Sequence, residues 1–218
     1  VDFSLALLLG LLYYRWHKTP GMEYANTYTF MAIFGIIGHG FGHTSIATLI
    51  RSQGGDFRAV VEAESISIVE RLREDGLAKV AMQQVLLPGL FWFPLLYSAL
   101  PSADLSVVAL LSVLARMGQL EIPVHFAFTY VQTILLLCFT LGLALLSRKE
   151  KNFMYATHTW LVGLPICAAG WVESTMCLAF VRDAFYGHVM YDGTSAVGSI
   201  VWYVTCYLWA KSQNASTK

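Results

Sequence analysis

The chain has 218 residues and equal numbers of basic and acidic side chains, 14 of each, so its formal net charge is zero. Hydrophobic residues make up 56% of the sequence and charged residues 13%, which is about half the charged share of an average soluble domain. The balanced charge argues against nucleic acid as a partner. The mean hydropathy of +0.57 favours a protein embedded in a lipid bilayer.

The charged residues are clustered, and they separate long apolar runs. Continuous apolar runs are typical of membrane helices, whereas a membrane β-barrel requires alternation. The pattern predicts an all-α fold, a polytopic bundle of six or seven transmembrane helices that forms one integral membrane domain over residues 1–218. The predicted segments are 1–16, 24–50, 81–100, 103–117, 123–147, 154–181 and 190–210.

The first segment opens at Val1, directly in an apolar run, so we expect the natural N-terminus to lie upstream. The second segment contains MAIFGIIGHGFGHTSIATLI, in which His39 and His43 are four residues apart. That spacing places both imidazoles on one helical face. Ionisable groups at membrane depth are costly and usually functional, so this pair is the first candidate site.

Three interpretations of the histidine pair remain open. His39 or His43 can be the axial ligand of a haem or chlorophyll, with Gly38 and Gly42 allowing a flat macrocycle to approach the helix. The two imidazoles can instead bind a metal ion together with ligands from other helices. The third interpretation is helix packing, because Gly38 and Gly42 have the spacing of a small-residue contact face.

Residues 54–79 differ from the rest because charged side chains alternate with an apolar stripe that includes Val69 and Leu72. This pattern predicts an amphipathic helix outside the membrane. The next segment, 81–100, contains Pro88 and Pro94, and we expect these prolines to kink it. Segment 103–117 is short for a span, so it is either tilted or re-entrant.

Glu173 lies in the middle of the sixth apolar segment, 154–181. A carboxyl group at that depth should be protonated or paired. Its functional interpretation is a general acid or a proton carrier, and the alternative is a structural hydrogen bond to another helix. Among the histidines other than His39 and His43, His158, one turn inside the same segment, is the best further partner for the histidine pair.

Asp192 begins the seventh segment, where a carboxylate complements the positive end of the helix dipole. Asp192, Ser195, Ser199 and Cys206 form a mildly polar stripe along this segment, which is more often a seam between helices than a channel. The basic loop 148–151 is assigned to the cytoplasmic-equivalent side. Alternating spans then bring Arg15, Lys18 and Lys211 to that side as well, but they place residues 51–79, with five basic residues, on the opposite side, so the charge bias does not decide the orientation.

The sequence contains no P-loop, no dinucleotide-binding glycine motif and no nucleophile elbow. The leading functional hypothesis is an integral membrane subunit of a larger membrane complex, which holds a haem or chlorophyll type of cofactor through His39 or His43. The second is a membrane enzyme acting on a lipid or isoprenoid, with His43 and Glu173 in acid–base or metal-assisted roles. The third is a purely structural assembly subunit. All three expect the lipid bilayer as a partner.

Overall fold

The structure is a computed structural model that describes residues 2–52, 68–120, 132–179 and 184–216. These ranges contain helices and turns and no strand, which confirms the all-α prediction for them. The helices are α1 (Asp2–Trp16), α2 (Glu23–Ser52), α3 (Ile68–Asp75), α4 (Leu77–Gly89), α5 (Trp92–Ala99), α6 (Leu105–Leu120), α7 (Gln132–Glu150), α8 (153–179) and α9 (Ala184–Ser216).

The helices pack mainly against their neighbours along the chain, as short antiparallel connections predict. Helix α2 contacts α1, α4 and α5, α5 contacts α7, α7 contacts α8, and α8 contacts α9. Helix α9 closes the ring by packing against α1 and α2, while α6 lies against α4 and α5. The ring therefore encloses a central space between α2, α5, α8 and α9.

Aromatic side chains fill one half of this central space. Trp202 and Tyr203 of α9 are fully buried, and the Trp202 ring makes edge-on contacts with Tyr24 and Tyr28 of α2. The Trp202 indole donates a hydrogen bond to the Met154 carbonyl at 3.1 Å. The Tyr203 hydroxyl donates to the Asn26 side chain at 2.8 Å. These bonds satisfy the polar ends of large buried rings and fix α9 against α8 and α2.

The basic clusters lie at one end of the bundle. The Asn214 amide of α9 donates to the Pro20 carbonyl in the α1–α2 turn, and Phe153 at the start of α8 stacks on Trp209. These contacts bring together the regions around Arg15 and Lys18, the loop 148–151 and Lys211. The alternation of segments in the sequence predicts that these regions lie on one side.

A proline inside a helix has no N–H group, so the carbonyl four residues before it loses its usual hydrogen bond. The carbonyl of Gln84, four residues before Pro88, accepts a hydrogen bond from the Arg116 guanidinium of α6 at 2.8 Å. A π-helical turn, Val80–Leu86, ends two residues before Pro88, and another, Thr159–Gly163, ends two residues before Pro165. Wider turns relieve the clash between a proline ring and the preceding turn.

The kink predicted for segment 81–100 is confirmed. Helices α4 and α5 are bent by 47° at a short break that lies between Pro88 and Pro94. The bend lets α4 and α5 follow α2 closely. A Cβ added to Gly38 would overlap the Leu87 carbonyl oxygen, and one added to Gly35 would lie 3.1 Å from the Leu90 carbonyl oxygen. Glycine is required here because the two backbones are in contact.

Large apolar side chains are also exposed around the outside of the bundle. Taken one at a time, however, none of the helices in the described ranges combines the length and hydropathy expected of a membrane span. The bent pair Leu77–Gly89 and Trp92–Ala99 meets those criteria jointly, and Leu105–Gly118 is a shorter apolar helix. Exposed examples are Leu7, Leu11, Phe30, Phe34, Leu110, Leu114, Leu141, Leu145, Trp160, Trp171, Val197 and Leu208.

The amphipathic segment 54–79 is described only from residue 68 onward, and the rest of this prediction lies outside the described residues. The described portion contains the eight-residue helix α3 and the start of α4. Val69 and Leu72, which belong to the predicted apolar stripe, are exposed. The described contacts therefore leave these two side chains without a core to pack against.

The contact at Gly38 predicts that alanine is much more destabilising at Gly38 than at a glycine without such a contact. We expect Gly38→Ala to lower the free energy of unfolding by roughly 1–3 kcal/mol, because the new methyl group meets the Leu87 carbonyl, which is backbone and cannot rotate away. The matched control is Gly10→Ala in α1, where no atom lies within 4 Å of the added Cβ. That control should be neutral or stabilising by up to about 1 kcal/mol. Thermal melting of both variants in the same detergent would test this, and equal melting temperatures would contradict it.

Candidate functional site

A cavity of about 60 Å³ lies between α1, α2, α5, α8 and α9. A single water needs roughly 10–15 Å³ on this measure, so the cavity has room for an ion with a few waters or for part of a ligand. Its walls are mostly apolar, and its polar groups come from α1, α2 and α9. The lining residues with apolar side chains include Ala32, Ile36, Phe91, Pro94, Leu95 and Ile166.

Three ionisable side chains converge at this cavity. The Nδ1 atom of His39 lies 3.6 Å from a carboxylate oxygen of Asp2 and 3.6 Å from a carboxylate oxygen of Asp192. The three atoms all lie within 4.8 Å of one another. The exposed fractions of the side chains are 19% for His39, 11% for Asp2 and 10% for Asp192. We call this group the Asp–His–Asp cluster.

Each member of the cluster is supplied by a different helix. His39 lies about 24 Å from the first residue of α2 and about 20 Å from its last residue, at the rise of a regular helix. It is therefore deep within the bundle, as expected from its place in an apolar run. The ring centroid of Phe91 lies 5.2 Å from that of His39 and restricts one side of the imidazole.

The dipole explanation for Asp192 is wrong. Helix α9 begins at Ala184, so Asp192 is more than two turns inside the helix and far from its first unpaired amides. The prediction failed because the apolar pattern placed the start of the segment at 190, whereas the helix starts earlier. Asp192 instead faces His39 across the cavity.

Gly40 allows α1 to bring Asp2 to the cluster. A Cβ added to Gly40 would lie 3.3 Å from the Asp2 Cβ and 3.1 Å from the tip of the Phe3 ring. These distances are shorter than ordinary van der Waals contact, so a side chain at position 40 would push α1 outward. The glycines on either side of His39 therefore allow two helices to approach α2 closely, α4 at Gly38 and α1 at Gly40.

The polar stripe predicted for the seventh segment divides into two parts. Asp192, Ser195 and Ser199 line the cavity, while Cys206 is fully buried in the aromatic core. Ser199 donates a hydrogen bond to the Ser195 carbonyl at 2.8 Å, and Tyr28 also lines the cavity. The stripe thus provides a hydroxyl-lined wall that leads away from the Asp–His–Asp cluster.

His158 lies behind Tyr28, at the point where α8 enters its π-helical turn. Its side chain is buried, and neither ring nitrogen has a hydrogen-bond partner among the described residues. The ring makes edge-on contacts with Tyr28, at 4.4 Å between centroids, and with Trp202, at 4.9 Å. The structure places it in the aromatic core rather than in the Asp–His–Asp cluster.

This environment predicts that His158 can be replaced by an apolar ring. Exchanging a buried polar group that has no partner for an apolar one of similar shape is nearly neutral or stabilising. We expect His158→Phe to melt at the same or a higher temperature than the parent chain. The contrast is Tyr203→Phe, which removes a hydroxyl that bonds to Asn26 and should cost about 0.5–1.5 kcal/mol. A His158→Phe chain less stable than Tyr203→Phe would show that the imidazole has a polar partner.

The other residues of the predicted sites are placed as follows. His43 and Gly42 belong to α2 and Glu173 belongs to α8, but their side chains lie outside the described residues, so the predicted convergence of His43 with Glu173 is not tested. Gly38 packs against Leu87, which agrees with the packing interpretation of this glycine. At Gly38 the backbone of α2 is covered by α4, so a flat macrocycle has no room to lie against it there.

Sequence reasoning missed Asp2 as a site residue and explained Asp192 in another way. The available signal was the carboxyl group itself, since both residues stand beside apolar runs where charge is costly. No short motif connects residues 2, 39 and 192, because the cluster exists only through the packing of α1, α2 and α9. No family model, curated protein or solved structure matches this chain.

Proposed function

We propose that this chain is a multi-pass membrane protein. Large apolar side chains are exposed on α1, α2, α6, α7, α8 and α9, where a lipid environment would solvate them at no cost. The helix order from α1 to α9 also follows the seven apolar segments of the sequence.

Within that bundle, the proposed function is acid–base or metal-assisted chemistry on a lipid or isoprenoid. The observation that carries the proposal is the Asp–His–Asp cluster at one end of a cavity with apolar walls. An imidazole can take up and release a proton, and Asp2 and Asp192 would orient the ring. Phe91, Leu95 and Ile166 would hold an apolar chain beside it.

The proposal assigns separate roles along the cavity. In the acid–base form of the proposal, His39 is the proton acceptor or donor, and Asp2 and Asp192 are its positioning partners. The hydroxyls of Tyr28 and Ser199, which both line the cavity, would bind a polar group of the substrate further along the wall. Glu173 and His43, the acid–base pair suggested by the sequence, stay additional candidates for the same reaction.

A direct test is the lipid content of the purified protein. We expect the parent chain, purified in mild detergent or nanodiscs, to retain a defined lipid or isoprenoid class identifiable by mass spectrometry. Replacing Ile166 by Trp should fill the apolar part of the cavity and lower this content several-fold. The control is Leu141→Trp, on an exposed surface of α7, which should leave it unchanged. Equal lipid profiles in all three proteins would contradict the proposal.

The cofactor-holding hypothesis makes a different prediction, which a visible absorption spectrum measures. The enzyme proposal expects no porphyrin or chlorophyll band in the gently purified protein, because it places the two carboxylates of Asp2 and Asp192, and no macrocycle, beside the His39 imidazole. A band that disappears in His39→Ala would favour the subunit holding a haem or chlorophyll instead. A band that survives His39→Ala and disappears in His43→Ala would assign the cofactor to His43.

A further inference from the structure

The geometry of the Asp–His–Asp cluster matches the spacing of ligands around a metal ion. Zinc binds histidine nitrogen and carboxylate oxygen at about 2.0–2.2 Å, so two ligands at tetrahedral positions are about 3.3–3.6 Å apart. Octahedral neighbours at the same bond lengths would be only about 2.8–3.1 Å apart. Both nitrogen-to-oxygen distances in the cluster are 3.6 Å. These two nitrogen-to-oxygen distances therefore match the tetrahedral spacing, and all three donor atoms lie within 4.8 Å of one another.

The charges of the cluster also suit a divalent cation. Two ionised carboxylates and a neutral imidazole sum to a charge of −2, which one divalent ion balances. All three side chains are at least four-fifths buried, so the balance is formed in a region where charge is poorly solvated. Nitrogen and oxygen donors together are typical ligands of zinc and related ions.

The cavity has room for a fourth ligand of the ion beside the three protein ligands. Catalytic zinc sites usually have three protein ligands and a fourth position for water or substrate. The space of about 60 Å³ beside His39, Asp2 and Asp192 has room for an ion and water, and it continues along the apolar wall. The open position would therefore face the part of the cavity in which the proposed function places the substrate.

We propose that Asp2, His39 and Asp192 form a binding site for a divalent transition metal ion of the zinc type, with His39 ligating through Nδ1. The ion would act as a Lewis acid at the open position of the site. The binding of the ion is inferred from the three side chains alone. Its role in a reaction rests on the proposed function.

The experiment is a metal titration of the purified full chain, stripped with a chelator and kept in detergent. Cobalt(II) is the spectroscopic probe, because a tetrahedral site gives it intense visible bands, and zinc is added afterwards in competition. We expect one equivalent of cobalt to produce these bands and one equivalent of zinc to remove them. The melting temperature should rise with zinc concentration, since an ion that binds the folded chain stabilises it.

Matched variants connect the signal to the three ligands. Asp2→Asn and Asp192→Asn should each weaken zinc binding at least tenfold, because even partners of metal ligands contribute about that much. The control is Asp104→Asn, the same chemical change at an exposed carboxylate that caps α6 through Ser106. It should bind zinc as the parent chain does.

Two results would overturn the metal site: a parent chain without tetrahedral cobalt bands, or equal zinc affinity in the parent chain, Asp2→Asn and Asp192→Asn. The spectrum of the parent chain decides the matter even if both variants unfold. Metal binding without a retained lipid would leave the ion site standing and remove the proposed function. A retained lipid without metal binding would do the reverse.

Discussion

The close approach of α4 and α5 to α2 is the constraint on which the rest of the structure depends. Gly35 and Gly38 face backbone carbonyls of Leu90 and Leu87, so the helices are separated by less than a side chain. The approach is possible because the prolines bend this part of the chain by 47° and turn it along α2. It places Phe91 and Leu95 against the cavity and sets the position of the ring at His39.

The same combination of proline and glycine recurs between α8 and α9. Pro165 cannot donate to the Leu161 carbonyl, and a Cβ added to Gly198 of α9 would lie 2.6 Å from that oxygen. Helix α9 therefore lies close to α8 at the level of Ser199 and Ile166. In both places a helix irregularity caused by proline meets a glycine on the partner helix, and in both places residues nearby line the cavity. The cavity is thus bounded by the least regular parts of the bundle.

The helices were largely predictable from the sequence, whereas the site was predictable only in part. Apolar run length and charge clusters predicted where most of the described helices lie, and the two prolines predicted the bend, because these are local properties of the chain. The start of the last helix, at Ala184, was placed six residues too late. His39 was found because a histidine in an apolar run is conspicuous. Its partners were not, since residues 2, 39 and 192 are brought together by packing, which no local pattern encodes. The glycines were noticed, but their contacts with α1 and α4 required the structure.

The meeting of α1 with α9 has a consequence for how the molecule is made. Asp2 and Asp192 belong to the first and last described helices, so the cluster has a very high contact order. Trp16 stacks on Tyr207, at 4.2 Å between ring centroids, and this contact too can form only after α9 has been synthesised. During synthesis, Asp2 and His39 emerge well before Asp192, and a partly made chain contains only two of the three side chains. The cluster is completed in the final stage of folding, so a chain released before α9 would never assemble it.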